Sequence, residues 1–531
     1  MKVPLLDLKA QYTTTNKPLP HFLKNPCLPT GRHYSIIPIS QYSNCACPPS
    51  LSLRRGGRER SELSSMMSSD DEPCFLHKKG KARAGTVRVE LINPDNPTNA
   101  ANVPFLQKGL FSWKAKAYSP PLNLCMIAAY TSDEIEVSIT DECVKPIDFS
   151  KDIDLVGLTA YTNSAPRAYQ IADAFRQRNV PVVMGGIHAS TLPQEALEHC
   201  DSVVVGEAEG AWQRVINDYL EGHLGRIYRN EQLVSLEGLP RPKRDLLNPE
   251  DYVTINTVQT TRGCPHNCSF CSVTRFNGRT YRFRPIPEVI EEIESLPSRN
   301  VFIIDDNIFS QRGRTKKLFE ALMPIGIRWG SQCTISIARD PEMLELAARS
   351  GCIGLAIGLE SFCRESLEGA HKRFNDPDRF YRDIEVIEGF GIFIWGSFVL
   401  GFDEDDEASL EKTIAMAKSS KLDFACFNFL TPLPGTAVYD KFEREGRLEG
   451  KNWADYNMAN LVFRPIKVTS EVLEQKVREA WLEFYSLKAV FHRLGPSLGK
   501  IRFFVWLVNL ALCFYTRKKL RWTWKDHHAH G

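Results

Sequence analysis

The sequence predicts an α/β protein with two parallel-sheet domains and a helical C-terminal region. Between Thr86 and Gly222, short apolar runs with strand character alternate with helical patterns, which indicates a doubly wound, Rossmann-like sheet. Six strand and helix repeats follow within residues 251–440, and they indicate a partial (β/α)6 barrel of the TIM-like kind. The pattern in residues 441–531 then becomes helical.

Composition places boundaries around these domains. Residues 1–80 mix Pro, Ser, Arg and Lys without a strand or helix period, so we expect a disordered extension there. Residues 81–222 are predicted to form the first domain. Residues 223–250 contain GLPRPKRDLLNP, a stretch typical of a linker.

Charge gives no general argument for a nucleic-acid partner. The 66 basic and 64 acidic side chains leave a net charge of +2 over 531 residues. The chain shows neither the residue order of a signal peptide nor a long uncharged apolar run. We therefore expect a cytoplasmic protein that does not bind nucleic acid.

The strand ends of the first domain carry its candidate ligand contacts. Predicted strands cover 134–140, 154–160, 180–184 and 202–205 after a first strand in TVRVELINP, and predicted helices cover 121–130, 165–178 and 210–221. Doubly wound sheets bind ligands beyond the carboxyl ends of their strands. The residues there are Thr159, Gly185, Gly186, His188, Gly206 and Glu207. The glycine pair either lets a bulky ligand approach the backbone or makes a tight turn between strand and helix.

The barrel repeats place a cysteine loop on a catalytic face. Predicted strands cover 254–261, 301–305, 327–335, 353–359, 393–400 and 424–429, with helices at 287–296, 341–350 and 407–419. Barrel enzymes place their chemistry at the carboxyl ends of the strands. The run TTRGCPHNCSFCSVTRF follows the first of these strands, so its cysteines are predicted to lie on that face.

Cys264, Cys268 and Cys271 have C-x3-C-x2-C spacing, which supplies three thiolates from one short loop. A [4Fe-4S] cluster normally takes four thiolates, so three would leave one iron open to a small ligand. Structural zinc sites usually need two cysteine pairs, and only His266 is at hand as a fourth ligand. A disulfide is a weaker alternative, because the 15 cysteines are odd in number and mostly lie singly in apolar runs.

With Phe270 before its third cysteine, this loop resembles that of the radical S-adenosylmethionine (radical SAM) enzymes. The segments VVMGGIHASTLPQEAL and VVVGEAEGAW resemble the cobalamin-binding domain that precedes many radical SAM cores. The resemblance implies three cofactors: a [4Fe-4S] cluster, S-adenosylmethionine and cobalamin. The Asp-x-His-x-x-Gly motif of mutases lacks its histidine at residues 141–146, so no protein histidine is expected below cobalamin. For His188 the alternatives are contact with the corrin periphery and simple packing.

The same resemblance suggests residues that hold S-adenosylmethionine. It implies that Asp306 meets the methionine ammonium, that Arg339 pairs with the methionine carboxylate and that Glu360 binds the ribose or the amino group. Residues 397–404 resemble the segment near the adenine, with Ser397 at its first glycine position. A helix cap is the alternative for Asp306, and a surface ion pair is the alternative for Arg339.

For function, the resemblance implies reductive cleavage of S-adenosylmethionine to methionine and a 5'-deoxyadenosyl radical. Methyl transfer to an unactivated carbon is the leading expectation, with cyclisation or rearrangement as the alternative. A methylthiotransferase would need Cys125, Cys143 and Cys200 to hold a second cluster. A non-enzymatic corrinoid or iron–sulfur binding module is the remote alternative.

The expected partners are a small-molecule substrate and an electron donor such as flavodoxin or ferredoxin. The uncharged run 503–516 is too short to span a bilayer, but Arg502, Arg517, Lys518 and Lys519 flank it. Such a segment can lie in a membrane interface, which would suit a lipid-like substrate. The alternative is a helix packed on the barrel.

Overall fold

The computed structural model describes residues 86–95, 116–230, 232–494 and 500–527, with side chains in the last range limited to 503–517. The predicted extension 1–80 lies outside the described residues. The two sheets predicted from the sequence are both present, each with six strands and all of them parallel. The predicted α/β class is therefore confirmed.

The first sheet has the strand order β2-β1-β3-β4-β5-β6. Its strands are β1 (Arg88–Asn93), β2 (Glu136–Asp141), β3 (Leu155–Thr159), β4 (Val182–Gly185), β5 (Ser202–Val205) and β6 (Ile227–Arg229). Its helices are α1 (Leu122–Ala129), α2 (Ala165–Gln177), α3 (Ile187–Thr191), α4 (Pro193–His199) and α5 (Trp212–Glu221). Every residue of β3 and β5 is buried, as expected where helices cover both faces of a parallel sheet. The strand order reverses between β1 and β3, which opens a crevice there.

The sixth strand, β6, lies inside the segment predicted to be a linker. It pairs with β5 in the register Val203↔Ile227 to Val205↔Arg229. Its central residue Tyr228 is buried and donates from its hydroxyl to Asp218 at 2.7 Å. Three residues are too few to show a strand period in sequence, and tertiary pairing decides their conformation.

The second sheet has the order β14-β13-β12-β11-β10-β7 and forms the partial barrel. Its segment contains β7 (Thr257–Val258), β8 (Thr261–Arg262), β9 (Arg282–Phe283), β10 (Asn300–Ile303), β11 (Arg328–Cys333), β12 (Cys352–Glu360), β13 (Phe393–Leu400) and β14 (Phe424–Phe429). The short strands β8 and β9 form a separate antiparallel pair. The helices are α6 (Ser272–Asn277), α7 (Ile286–Glu294), α8 (Arg312–Leu322), α9 (Pro341–Arg349), α10 (Arg364–Gly369), α11 (Phe380–Gly389) and α12 (Glu407–Ser419).

The C-terminal helices cover the outer strand of the barrel. They are α13 (Ala437–Arg444), α14 (Ser470–Phe484), α15 (Leu487–Leu494) and α16 (Lys500–His527). The Tyr485 hydroxyl donates to the Ala425 carbonyl at 2.7 Å and accepts from the Ala425 N–H at 3.1 Å. The Trp481 indole N–H donates to the Phe427 carbonyl at 2.8 Å. These side chains therefore bond backbone groups of β14, which is the edge strand of this sheet within the described residues.

One apolar core joins the two sheets. Buried side chains of α1, β1 and α5 belong to the same contiguous cluster as those of the barrel strands, including Leu91, Trp212 and Val258. A second cluster lies under α2 to α4 on the opposite face of the first sheet. The face of the first sheet that carries α1 and α5 is therefore the one directed at the barrel. No helix in the described part of the chain combines the length and apolar character needed to cross a membrane.

Candidate active site

A cavity with about 870 Å³ of empty space, part of it open to solvent, lies at the carboxyl side of the first sheet. Three predicted ligand contacts, Thr159, Gly185 and Gly186, line it together. The Asn123 amide donates to the Thr159 hydroxyl at 2.9 Å. Most of the remaining wall is apolar and comes from α1, the strands and α5. A large ligand with an apolar body and a few polar groups suits such a wall.

Gly185 and Gly186 have different roles in the cavity wall. A Cβ at Gly185 would meet nothing closer than Val204 at 3.9 Å, so its absence leaves space on the cavity side. Gly186 has φ +95°, and a Cβ there would lie 2.7 Å from the Ala160 carbonyl oxygen. Gly186 is therefore required by the turn into α3, whereas Gly185 only adds room.

Gly186→Ala is expected to destabilise the first domain and to lower its corrinoid content. The strained backbone costs about 1–3 kcal/mol, and the overlap with Ala160 adds to it. Gly222→Ala is the matched control, because Gly222 also has positive φ (+79°) but has open space around its Cβ position. Thermal unfolding and corrinoid absorbance of both variants check this. Equal losses in the two variants would contradict it.

The structure separates the other predicted residues of this domain from the cavity wall. His188 is fully buried, with Nε2 3.0 Å from the Tyr169 hydroxyl and its ring edge-on to Trp453 at 5.2 Å. His188 does not line the cavity. The Gly206 N–H donates to the Ser190 hydroxyl at 2.9 Å. Glu207 is 1% exposed and pairs with two arginines of the barrel segment rather than facing the cavity.

The cysteine loop begins where β8 ends. Gly263 has φ +94°, and its N–H donates to Asp306 Oδ2 at 2.9 Å, which ties the loop to the end of β10. Burial, with a smaller contribution from the neighbouring thiols, raises the pKa of the Cys264 thiol to about 11 and that of the Cys271 thiol to about 12. Three thiols close enough to influence one another, none of them in a disulfide, form a donor set that iron would deprotonate and bind. The loop thus fits a cluster held by three cysteines.

The zinc alternative gains no support from the loop. The His266 ring stacks on Phe374 with centroids 3.8 Å apart. Zinc needs its ligands about 2.0–2.3 Å from one ion. Among the residues that the structure describes, no three His, Cys, Asp or Glu side chains are arranged around a single metal ion.

Glu360 lies beside the cysteine loop in an unusual backbone conformation. It ends β12 with φ +66°, is 5% exposed and forms an ion pair with Lys372. Burial lowers the pKa of Lys372, but Glu360 and the Cys268 thiol outweigh this, so that the net pKa is raised. Lys372 therefore stays charged next to the three cysteines. Sequence reasoning missed it, because it lies in an irregular segment after α10 and belongs to no motif.

The remaining predicted contacts divide between two places. Burial raises the pKa of Asp306, beside the loop, to about 7. Phe270 lies 5.8 Å from Phe402, in the segment that resembles the adenine site. Arg339 instead points its Nε at Asp383 of α11 at 3.3 Å, on the helical side of the barrel. The partner carboxylate is 2% exposed, so this is not the surface ion pair considered as the alternative for Arg339.

Asp405 holds the turn after β13 by accepting from the N–H groups of Gly401 at 2.8 Å and Phe402 at 3.0 Å. Burial raises its pKa from 3.8 to about 6. The folded state therefore binds more protons than the unfolded state between these values, and this contribution to stability is lost as pH rises through 6. The unfolding free energy of the natural chain should fall by about 1–2 kcal/mol relative to Asp405→Asn between pH 5 and 7. Denaturant unfolding at both pH values measures this, and a constant difference would contradict it.

The cysteines required by a methylthiotransferase are not brought together. Cys125 is buried in the core that faces the barrel, and Cys200 is buried in the core on the opposite face of the first sheet. Cys143 lies near Asn93, with a sulfur-to-amide distance of 3.9 Å. These three residues cannot hold one cluster in this fold.

Comparison with known proteins agrees with this division into two sites. Residues 113–216 match the B12 binding domain, and residues 258–417 match the radical SAM superfamily. The bacteriochlorophyllide d C-12(1)-methyltransferase of Chlorobaculum tepidum is 31% identical over 415 residues, which cover 76% of this chain and 90% of that protein. The C-8(2)-methyltransferase of the same organism is 27% identical over 426 residues, covering 75% and 91%. An anaerobic magnesium-protoporphyrin IX monomethyl ester cyclase of Cereibacter sphaeroides is 26% identical over 376 residues, covering 64% and 61%.

Solved structures show the same fold. The radical S-adenosylmethionine methyltransferase TsrM from Kitasatospora setae, with cobalamin and a [4Fe-4S] cluster bound, aligns with a TM-score of 0.59 at 16% identity, covering 82% of this chain and 100% of that one. The cobalamin-dependent radical enzyme OxsB aligns with a TM-score of 0.60 at 12% identity, covering 81% and 72%.

The first sheet belongs to the segment that matches the B12 binding domain, and it packs against a barrel that carries the three-cysteine loop. Together these features define a radical SAM enzyme with a second, cobalamin-binding domain. The chain belongs to the cobalamin-dependent radical SAM family. Its cofactors are a [4Fe-4S] cluster, S-adenosylmethionine and cobalamin.

Proposed function

We propose that this enzyme transfers a methyl group from cobalamin to an unactivated carbon of a small molecule. One observation carries the proposal: barrel residues Gln259 and Arg262, which immediately precede the cysteine loop, also line the cavity of the first domain. The two cofactor sites therefore share a wall. A substrate held at that wall would be within reach of both.

Each site contains residues suited to its cofactor. Thr159, Gly185 and the apolar wall of the cavity would hold cobalamin, and the three loop cysteines would hold the cluster. Asp306, Glu360 and Phe270 would hold S-adenosylmethionine, where carboxylates suit its ammonium and ribose groups. When bound, these cofactors supply the electron, the radical and the methyl group, while the protein orients them and excludes water.

Cyclisation is the second candidate function. The similarity to an anaerobic magnesium-protoporphyrin IX monomethyl ester cyclase supports it, because that alignment covers 64% of this chain. The bacteriochlorophyllide methyltransferases are more similar to this chain and support methyl transfer. Both kinds of relative act on tetrapyrroles, so we propose chlorophyllide-type macrocycles as the first substrates to test.

Anaerobic reconstitution with iron, sulfide and hydroxocobalamin tests the proposal. We expect one cluster and one corrinoid per chain, release of 5'-deoxyadenosine on reduction, and transfer of a trideuteromethyl group from labelled S-adenosylmethionine to the macrocycle. A product of unchanged carbon count with a new ring would favour cyclisation. A protein that binds iron but no corrinoid would overturn the proposed function.

We further propose that flavodoxin or ferredoxin supplies the electron. Arg275, Arg279 and Arg373 are exposed and close in sequence to the cysteine loop or to Lys372, and such cations would attract an acidic donor. The rate of cluster reduction by flavodoxin should fall as the salt concentration rises, because salt screens the attraction between the two proteins. The rate of reduction by dithionite should not show this fall.

Contact of the C-terminal helices with a membrane surface is a further part of the proposal. Phe491, Phe503 and Phe514 are 58%, 56% and 67% exposed on α15 and α16, and Phe503 and Phe514 fall on one face of α16. Arg517 is exposed three residues beyond Phe514 and would complement anionic lipids.

The double variant Phe503→Ser/Phe514→Ser is expected to reduce flotation with phosphatidylserine liposomes, because two large apolar anchors are lost. Leu220→Ser is the control, since Leu220 is 52% exposed on α5 of the first domain. Equal flotation of the natural and double-variant proteins would contradict membrane contact. It would favour the alternative, in which α16 only packs on the barrel.

A further inference from the structure

A buried ion network joins the end of β5 in the first domain to the strand pair that leads into the cysteine loop. The Glu207 carboxylate accepts from Arg262 at 2.6 Å and from Arg282 at 2.8 and 2.9 Å. It also accepts from the Val234 N–H at 2.8 Å, and the Glu207 carbonyl accepts from the Asn230 amide at 2.6 Å. Glu207 is thus held by five hydrogen bonds that come from both domains.

Glu207 separates two positive charges that the barrel segment places side by side. Arg262 of β8 and Arg282 of β9 are direct cross-strand partners in their antiparallel pair. Like charges at such positions repel each other. A carboxylate from the other domain, shared by both guanidinium groups, turns this repulsion into attraction between the domains.

The network reaches both cofactor sites. Arg262 also donates to Glu209 at 2.8 Å, and both residues line the cavity of the first domain. At its other end, only Gly263 separates Arg262 from Cys264. The Gly263 backbone packs closely against the Thr280 carbonyl, and its N–H donates to Asp306 at 2.9 Å, so the loop has little freedom to shift there. A displacement of Arg262 would therefore be passed on to the cluster ligands.

The charges of the network are balanced. Two arginines face two glutamates, and the side chains of Arg262 and Glu207 are 4% and 1% exposed. Burial raises the pKa of Glu207, but Arg262 and Arg282 outweigh it and leave the pKa lowered. Buried ion pairs of this kind contribute more to a unique geometry than to net stability.

We propose that Glu207 and Arg262 are positioning residues that set the distance between cobalamin and the iron–sulfur cluster. The proposal rests on the proposed function, because it needs both cofactors to be bound. It assigns to Glu207 a role between the domains, in place of the direct cofactor contact expected from its position after a strand.

The distance between the two metal centres tests the proposal without any substrate. Protein reconstituted with hydroxocobalamin and reduced with dithionite holds two paramagnetic centres, cob(II)alamin and the reduced cluster, and pulsed dipolar EPR measures their separation. We expect one narrow distance distribution in the natural chain. In Glu207→Gln, which keeps the size but removes the charge, we expect a broadened and displaced distribution with both cofactors retained. Arg282→Gln should have the same effect and provides a second variant if Glu207→Gln folds poorly.

Asp201→Asn is the matched control. Asp201 lies just before β5, whereas Glu207 lies just after it. Asp201 pairs with Arg176 at 3.2 Å, entirely within the first domain. Its loss should leave the distance distribution unchanged. If both cofactors bind to Glu207→Gln and Arg282→Gln with the natural distribution, the inference is wrong while the proposed function stands. If the natural chain binds only one cofactor, the proposed function itself fails.

Discussion

Cys268→Ala is expected to abolish 5'-deoxyadenosine formation completely while leaving corrinoid binding intact. Two thiolates cannot replace the three that the loop supplies, so the cluster should be lost or labile. The first domain keeps its cavity, because its walls come mainly from other elements. Iron and sulfide analysis, corrinoid absorbance and product chromatography of the reconstituted variant measure the three effects separately.

Cys333→Ala is the matched control for this substitution. Cys333 is a buried, free cysteine at the end of β11 in the same barrel. The Cys333→Ala protein should retain its iron, its sulfide and its activity. A Cys268→Ala protein with a full, stable cluster would mean that the loop does not hold it.

Lys372→Met is expected to cause the largest loss of stability in the barrel. The substitution leaves the Glu360 carboxylate, 5% exposed, without its partner. Removal of one member of a buried ion pair costs about 3–5 kcal/mol. Weaker binding of S-adenosylmethionine should accompany it, because Glu360 loses the contact that orients it. Denaturant unfolding and titration of the reduced cluster with S-adenosylmethionine, followed by EPR, measure both effects.

A surface pair provides the comparison for this prediction. Lys316 and Glu342 are 2.6 Å apart, but their side chains are 39% and 51% exposed. Solvent screens such an exposed pair, so Lys316→Met should lower the unfolding free energy far less than Lys372→Met does. The double variant Lys372→Met/Glu360→Gln should recover part of the stability, since it removes the unpaired charge. If Lys372→Met lowers the unfolding free energy no more than Lys316→Met does, the stabilising role of the buried Lys372–Glu360 pair is contradicted.

Elements with a continuous apolar run or a clear helical period were the most predictable from sequence. The bounds of β5, β13, β14 and α12 agree with those predicted, because continuous apolar runs and a clear helical period mark them. The cysteine loop was recognisable because three ligands from one short segment need no tertiary information. The short strand β6 was not, since its conformation depends on pairing with β5 rather than on its own pattern.

Residues whose surroundings come from distant segments were the hardest to predict. The environment of Lys372 comes from Glu360 and the loop cysteines. The Glu207 carboxylate pairs with two arginines that lie more than fifty residues away in sequence. His188 follows a glycine pair as a ligand contact would, yet it packs against Trp453 from the C-terminal region. Sequence shows which chemical groups follow a strand, but burial and partners decide what those groups can do.

The side chains that cover β14 bear on whether copies of this protein can associate through their sheets. An incomplete barrel ends in a strand whose free backbone could recruit a strand from another molecule. Here Tyr485 and Trp481 occupy that backbone, and the Asn509 amide donates to the Asp423 carbonyl at 3.0 Å just before the strand. The C-terminal helices therefore prevent a strand of another molecule from pairing with β14. A shortened chain that lacks them would be prone to self-association.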